Sequence, residues 1–234
     1  FCLTGAIAAV AGQVITRSLA GNSVVSALPL VVFLAASGVF LAALLRAVLL
    51  RSDDPIVVLA VGLLLWLLAE LEPAIATREL LIALAVTIAL GYTSYALETA
   101  SVAGMLTGVL LVLLTTVLGG YGWFAVLVSF FAIGGLSTKF RYEEKTELGV
   151  AEDNNGARGS GNVLGNAAVA LVAVLGYAAS DAGFLPHEPE LYLFAFTGSI
   201  ATAMSDTLSS EIGSVFDRPR LIKLHRWRYP AFGL

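Results

Sequence analysis

The sequence has little of what soluble, disulfide-bonded or zinc-binding proteins need. Cys2 is its single cysteine, so neither an intrachain disulfide nor a cluster of thiolate ligands can form. His187 and His225 are the two histidines, and no third ligand lies close to either in the sequence, which argues against a structural zinc site. Charged residues make up 13% of the chain, whereas soluble domains carry roughly 25%. These absences exclude an ordinary soluble domain.

Apolar residues are abundant instead and run in long stretches. They make up 58% of the 234 residues, and the mean hydropathy is +0.89. The runs show no alternation of apolar and polar residues, as the strands of a membrane β-barrel would. With about 20 residues for each span, the length predicts an all-α, polytopic membrane helix bundle of about 6–8 transmembrane helices. We interpret residues 1–234 as a single integral membrane domain.

Eight apolar runs are candidate spans, and several are short. They cover residues 3–16, 24–45, 56–69, 80–95, 102–118, 123–136, 163–177 and 191–204. A run of 14 residues gives about 21 Å of helix, less than the hydrocarbon thickness of about 30 Å. We therefore expect the polar ends of the short runs to continue as helix inside the protein.

The basic residues predict the topology. Two lysines or arginines follow the second run, four follow the sixth and five follow the eighth, which together are eleven of the thirteen in the chain. Because basic loops are retained in the cytoplasm, alternating spans place these three segments there. The expected location is the cell membrane, with several spans and with the polar loop 137–162 in the cytoplasm.

This polar loop contains residue types that bind phosphate. Lys139, Arg141, Lys145 and Arg158 supply positive charge, and the neighbouring glycines permit close approach of a backbone to an anion. The loop has no Walker A spacing, and its charges could equally serve topology alone. Asn162 and Asn166 are four residues apart on one helical face, where amides within a span need a partner.

A second polar stretch lies near the end of the last run. Thr202, Asp206 and Ser210 are spaced by four residues and share one face of a continuing helix. Asp206 is the best candidate for a Mg²⁺ ligand, although a structural ion pair with an arginine is the alternative. Glu211 lies about 140° further around an ideal helix and would share a metal ion only if the helix bent. We expect Asp206 and the two asparagines to line one polar cavity between the seventh and eighth spans.

Gly104 and Gly108 form a GxxxG spacing in the fifth run. Small residues at this spacing let two membrane helices approach closely. The pattern predicts a helix-packing contact at both glycines.

Two segments resemble the signature segments of the membrane family called domain of unknown function 92, which includes the phytyl-phosphate kinase of plant tocopherol synthesis. They read GGYGWFAVLVSFFAIGGLSTKFRYEEKTELGVAEDNNGARGSGNVLGNAAVA and FTGSIATAMSDTLSSEIG, and the resemblance extends over about residues 95–222. It implies transfer of a phosphoryl group from a nucleoside triphosphate, CTP or ATP, to a prenyl phosphate, with Mg²⁺ as the metal. The expected partners are therefore the lipid bilayer and the prenyl phosphate, and not nucleic acid.

The signature positions of this resemblance carry the candidate site residues. Those expected to act in catalysis are Lys139, Arg141, Lys145 and Asp206. Those expected to bind substrate or nucleotide are Arg158, Asn162, Asn166, Thr207 and Ser210, and those expected to hold the metal are Asp206 and Glu211.

The chain departs from the family pattern after Ile222, where it reads KLHRWRYPAFGL in place of a Thr-Thr pair and further membrane helix. We interpret this difference either as a divergent tail over residues 223–234 or as a sign that the sequence is an incomplete member of the family. Two other functions stay open. A transporter would use the intramembrane Asp206 and asparagines as a path for an ion or a small polar solute, and a membrane cytidylyltransferase would use the same metal chemistry.

Overall fold

The computed structural model describes residues 2–21, 23–50, 53–151 and 156–216, and these residues form nine helices. The helices are α1 (Cys2–Leu19), α2 (Leu28–Val48), α3 (Asp54–Glu70), α4 (Thr77–Ala96), α5 (Val102–Gly119), α6 (Tyr121–Lys139), α7 (Tyr142–Glu147), α8 (Ser160–Asp181) and α9 (Pro189–Gly213). The basic residues 218–228, His225 and the tail 223–234 lie outside the described residues, as do Arg51, Asn154 and Asn155.

The predicted fold class is confirmed. Each of the eight apolar runs coincides with a helix, and α7 is the additional one. Six of the described helices are long and apolar enough to cross a membrane, namely α1, α2, α4, α5, α6 and α8. The number agrees with the expected 6–8 transmembrane helices.

The short apolar runs are extended by polar residues, as expected. The last run of the sequence becomes a 25-residue helix, α9, and the seventh becomes the 22-residue α8. Proline in the first turn helps to start α2, α3 and α9, because its fixed φ suits a helix start and its missing N–H would be unpaired there. The additional turns of α8 and α9 carry the polar residues of the candidate site.

Helix α5 is the centre of the bundle. It packs against α2, α4, α6 and α8, and its residues from Leu110 to Leu114 are buried. Helix α9 packs against α8 and α6, and at their junction the ring of Trp123 lies 5.0 Å from Tyr177 and 4.6 Å from Phe196, centroid to centroid. Because lipid is as apolar as the side chains, close packing of this kind, more than exclusion of water, stabilises the bundle.

The outer helices expose apolar side chains. On α3, Val58, Leu63 and Trp66 are more than half exposed, and α1 has no buried residue. Exposed apolar area of this extent requires an apolar surrounding such as the bilayer.

The polar loop and the end of α9 lie at the same end of the bundle. A salt bridge joins Lys145, in α7, to Glu211, near the end of α9. The backbone of Arg158 also bonds to the α4–α5 connection. We call this end, formed by the end of α6, α7, the start of α8 and the end of α9, the polar end.

Candidate functional site

A tight turn after α6 returns Lys145 to the end of that helix. Arg141 adopts a left-handed conformation with φ 50°, and α7 follows at once. The Lys145 ammonium then donates hydrogen bonds to the carbonyl oxygens of Ser137 (2.9 Å) and Thr138 (3.2 Å). The last carbonyls of a helix have no partner within it, so this lysine caps α6.

The third donor of the same ammonium is bound by a carboxylate. Lys145 Nζ lies 2.6 Å from Glu211 Oε2, and the Thr138 hydroxyl lies 3.1 Å from Glu211 Oε1. Lys145 is fully buried. A buried ion pair is tolerated when its remaining donors and acceptors are also bonded, and that condition is met here for the three protons of the lysine.

Arg158 approaches the same threonine from the loop before α8. Its Nε and Nη2 lie 3.3 Å and 3.2 Å from Thr138 Oγ1, and Nη2 also donates to the Gly134 carbonyl at 3.1 Å. Arg158 is 6% exposed. A side chain at position 134 would begin 2.8 Å from Nη1, so the guanidinium can lie against α6 because Gly134 has none. Thr138, Lys145, Arg158 and Glu211 are called the buried polar cluster below.

The backbone of Arg158 is held as firmly as its side chain. Its N–H donates to the Thr99 carbonyl at 3.0 Å, and its own carbonyl accepts from the Ser101 N–H at 3.0 Å. A Cβ on Gly104 would collide with the Arg158 carbonyl oxygen. The predicted helix–helix contact at the GxxxG spacing is therefore wrong: Gly104 makes room for a loop, and a Cβ on Gly108 would meet no atom within 4 Å.

Lys139 and Arg141 lie at the rim of the polar end, apart from the buried polar cluster. The Lys139 ammonium is 5.9 Å from the centroid of the Tyr142 ring. Arg141 Nε donates to Glu144 at 2.7 Å, and its guanidinium lies 5.8 Å from the centroid of the Phe216 ring. Both are accessible to a ligand approaching from water; in this structure Lys139 lies near Tyr142, and Arg141 contacts Glu144 in α7 and lies near Phe216 after α9.

The two asparagines are partners of each other. Asn166 Nδ2 donates to the backbone carbonyl of Asn162 at 2.9 Å and to its side-chain oxygen at 3.1 Å. Both are half-buried in the first two turns of α8. The prediction that they share one helical face is confirmed, and their partner within the helix is this pairing.

The end of α9 has two polar faces. Thr207 and Glu211 face inward, whereas Thr202, Asp206 and Ser210 form an exposed row, as their spacing predicted. Within the described part of the chain, the Asp206 carboxylate makes no hydrogen bond or ion pair, so the alternative of a structural pair with an arginine finds no support there. Asp206 is exposed among the described residues, and its lining of one polar cavity with the two asparagines stays a prediction.

The register of α8 and α9 nevertheless places the asparagines and Asp206 at one level. A Cβ on Gly176 would collide with the Tyr192 ring, so these two residues lie opposite each other in an antiparallel pair. Counting back along α8 from Gly176 and forward along α9 from Tyr192 by equal numbers of residues brings Asn162 level with Asp206. The same count brings Asn166 level with Thr202. Both pairs lie at the polar end.

Sequence reasoning missed Thr138 and Gly134. Thr138 bonds to both Arg158 and Glu211, and the Gly134 carbonyl accepts from Arg158, but neither residue has a charge that would attract attention. The sequence feature that could have identified them is the run of small residues at the end of α6, next to Lys139. Among the described residues, no group of three or more His, Cys, Asp and Glu side chains could hold a metal ion without ligands from a substrate.

Comparison with known proteins gives a family match and two relatives. The profile described as integral membrane protein DUF92 matches residues 85–228. "Protein VTE6, chloroplastic" of Arabidopsis thaliana is 35% identical over 120 residues, which cover 50% of this chain and 35% of the relative. An uncharacterized membrane protein of Synechocystis, sll0875, is 35% identical over 111 residues, covering 47% of this chain and 41% of the relative. The matched segment thus spans less than half the length of either relative, and no solved structure matches the chain.

Proposed function

The chain belongs to the integral membrane protein family DUF92, and from that premise we propose that it is a membrane phosphotransferase acting on a prenyl phosphate. The co-substrate is a nucleoside triphosphate, CTP or ATP, used with Mg²⁺, and the product is a prenyl diphosphate. The family match covers both signature segments that carry the resemblance to the phytyl-phosphate kinase.

The observation that carries this proposal is the arrangement at the polar end. Two basic residues, Lys145 and Arg158, are buried within one hydrogen-bonded cluster, and the exposed row of Asp206 lies on the other face of the helix that contributes Glu211. Burial of cations at the end of a membrane bundle is costly and is typical of functional sites. Phosphoryl transfer needs such a combination of fixed positive charge and an available carboxylate.

Arg158 is the residue that we assign to phosphate binding. A guanidinium presents several donors in one plane and matches two phosphate oxygens. Thr138 and Gly134 fix its orientation on one side, and the backbone bonds to Thr99 and Ser101 fix its position. The first turn of α8 follows two residues later, and its N-cap residue, Gly159, has no side chain to cap it, so we propose that its N–H groups contribute to binding the same anion.

Asp206 is the residue that we assign to the metal, and the described residues fit this role in part. Mg²⁺ binds through one or two carboxylates together with substrate phosphates, so a single exposed aspartate is a sufficient protein contribution. Glu211 does not fit as a second ligand, because Lys145 and Thr138 occupy both of its oxygens. When bound, Mg²⁺ would neutralise negative charge on the phosphoryl group that is transferred. We assign Ser210 and the Asn162–Asn166 pair to the nucleotide, because Ser210 lies one turn beyond Asp206 on the same exposed row and the register of α8 and α9 brings Asn162 level with Asp206.

The proposal requires that the polar end face the cytoplasm, where nucleotides are abundant, as the basic residues indicate. Cys2 can be replaced by serine to give a cysteine-free background. Glu143→Cys at the polar end and Phe184→Cys at the opposite end, both at exposed positions, then report sidedness to an impermeant maleimide. Labelling of position 143 from the cytoplasmic side alone is expected, and labelling of position 184 from that side would overturn the orientation.

The activity is tested with the purified chain in liposomes. Phytyl phosphate and geranylgeranyl phosphate are incubated with Mg²⁺ and with CTP or ATP labelled either in the γ-phosphate or in the base. The proposal expects transfer of the γ-label to a prenyl diphosphate. Transfer of the base label with release of pyrophosphate would instead identify a cytidylyltransferase, and absence of both labels from the lipid would overturn the proposal.

A further inference from the structure

A cavity of 310 Å³ lies between α4, α5 and α6, within the described residues. Its wall is mostly apolar and includes Leu90, Met105, Val109, Val128 and Phe131. Arg158 also belongs to the wall. The cavity is therefore in contact, at one place, with the residue that joins the buried polar cluster to the start of α8.

Of the four hydroxyl groups that line the cavity, the three nearer to Arg158 along the chain donate to the backbone, and the fourth, that of Thr87, is buried. The Thr93 hydroxyl donates to the Ala89 carbonyl at 2.7 Å, and that of Ser94 to the Gly91 carbonyl at 2.8 Å. The Thr99 hydroxyl donates to the Ser94 carbonyl at 3.0 Å. Because these three hydroxyls donate to the backbone, the wall beside Arg158 suits a hydrocarbon rather than a polar solute.

Gly108 contributes to the space in this cavity. A Cβ on Gly91 would collide with Val109, and one on Gly104 with the Arg158 carbonyl, so these two lining glycines serve close packing. A Cβ on Gly108 would meet no atom within 4 Å, and Gly108 lines the cavity as well. A side chain at position 108 would therefore begin in open space at the cavity wall, and a large one is expected to occupy part of the cavity.

We propose that this cavity binds the hydrocarbon chain of the lipid phosphate, with the phosphate held at Arg158. The identity of this ligand rests on the proposed function. The apolar wall removes the hydrocarbon chain from the surrounding lipid, and Arg158, the one arginine among the described residues of the wall, selects an anionic head group at the end of that chain. The chain enters beside α4, α5 and α6, whereas the nucleotide approaches from the Asp206 row on α9.

The test uses a probe that needs no catalysis. Hexadecyl phosphate with a photoreactive diazirine at the far end of its chain is incubated with the full chain in nanodiscs, and cross-linked residues are mapped by mass spectrometry. Label is expected on cavity residues of α4, α5 and α6. Gly108→Leu should reduce this label by about tenfold or more, as expected for groups that compete for an apolar pocket.

Gly62→Leu is the matched control. Gly62 lies in the apolar helix α3, a Cβ there would also meet no atom within 4 Å, and it does not line the cavity. This variant should keep the label. If Gly108→Leu and Gly62→Leu label equally, or if the label lies only on residues outside the cavity, the chain site is overturned.

A second probe distinguishes a lipid phosphate from ordinary bilayer chains. Hexadecanol with the same diazirine has the same chain and no phosphate. Weaker labelling of the cavity by the alcohol supports selection of an anionic head, and equal labelling would overturn it. Cross-linking and catalysis are measured separately. Cross-linking in the cavity without phosphoryl transfer would support the binding site for the hydrocarbon chain and overturn the proposed function. Phosphoryl transfer with cross-linking that Gly108→Leu does not reduce would support the proposed function and overturn the binding site.

Discussion

The inward and outward faces of α9 carry one carboxylate each near the polar end, and the two differ in burial and in hydrogen bonding. Glu211 faces inward and is bonded through both oxygens, to Lys145 and to Thr138. The carboxylate of Asp206, five residues earlier, is exposed and makes no hydrogen bond or ion pair within the described residues. A carboxylate bonded in this way stabilises the fold, because freeing it would leave a buried lysine unpaired. The comparison assigns Glu211 to the structure of the site and leaves Asp206 available to a ligand.

The largest effect is expected at the inward face. Lys145→Met removes the partner of Glu211 and the cap of α6 but keeps the volume of the side chain. Breaking a buried ion pair from one side costs about 3–5 kcal/mol, so we expect a large fall in the thermal unfolding temperature in detergent. Adding Glu211→Gln to the same chain should recover part of the loss, because the stranded charge is then removed.

The exposed pair of Arg141 and Glu144 is the control for this change. Their side chains are 38% and 47% exposed, and an exposed pair contributes less than about 1 kcal/mol. Arg141→Met should therefore change the unfolding temperature little. Equal losses for Lys145→Met and Arg141→Met would show that the buried polar cluster does not stabilise the fold more than a surface pair does.

A substitution on the outward face of α9 should change activity strongly and stability little. Asp206→Asn removes the charge and keeps the size, so stability should stay within about 0.5 kcal/mol of the parent protein. Phosphoryl transfer should fall by about a hundredfold or more, as is typical when an electrostatic contributor to a transition state is lost. Asp181→Asn changes an exposed carboxylate at the opposite end of α8 and should keep full activity. Near-normal turnover of Asp206→Asn at saturating Mg²⁺ would remove its metal role.

The sequence allowed the prediction of helices and of faces, but not of contacts between distant helices. Hydropathy located the eight main helices, and the spacing of Thr202, Asp206 and Ser210 placed them on one face of α9. The Lys145–Glu211 pair joins residues 66 positions apart. It depends on the left-handed turn at Arg141 and on the packing of α9 against α6, and neither of these is encoded in a local pattern.

The glycines show the same limit. Gly104 and Gly108 have a spacing that is typical of helix packing, yet one meets a loop and the other lines a cavity. A GxxxG pattern states that two residues on one face are small. It does not state what approaches them, because that depends on elements elsewhere in the chain.

A smaller effect is expected where Arg158 meets α6. Gly134→Ala places a methyl group 2.8 Å from Nη1 of Arg158, so the guanidinium must move away from Thr138 and from the Gly134 carbonyl. Crowding of this kind costs about 1–3 kcal/mol. Gly122→Ala is the control in the same helix, since a Cβ there would meet no atom within 4 Å, and it should be neutral or stabilising. Equal unfolding temperatures for the two variants would show that the guanidinium does not depend on close contact with α6.

The smallest effect concerns a buried polar group that lacks the partners found in the buried polar cluster. Thr87 lines the cavity and is 1% exposed, and its hydroxyl has no hydrogen-bond partner among the described residues. Thr87→Val keeps the shape and removes the unpaired hydroxyl, so stability should rise by about 1 kcal/mol. Thr107→Val is the control: Thr107 is equally buried, but its hydroxyl donates to the Ala103 carbonyl at 2.8 Å, so this change should not stabilise.

The same variant also tests what the cavity binds. A hydrocarbon chain makes no hydrogen bond to the Thr87 hydroxyl, so cross-linking by hexadecyl phosphate should persist or increase in Thr87→Val. A fall in both stability and cross-linking would show that the hydroxyl binds a polar group at that depth, which a plain hydrocarbon chain does not have.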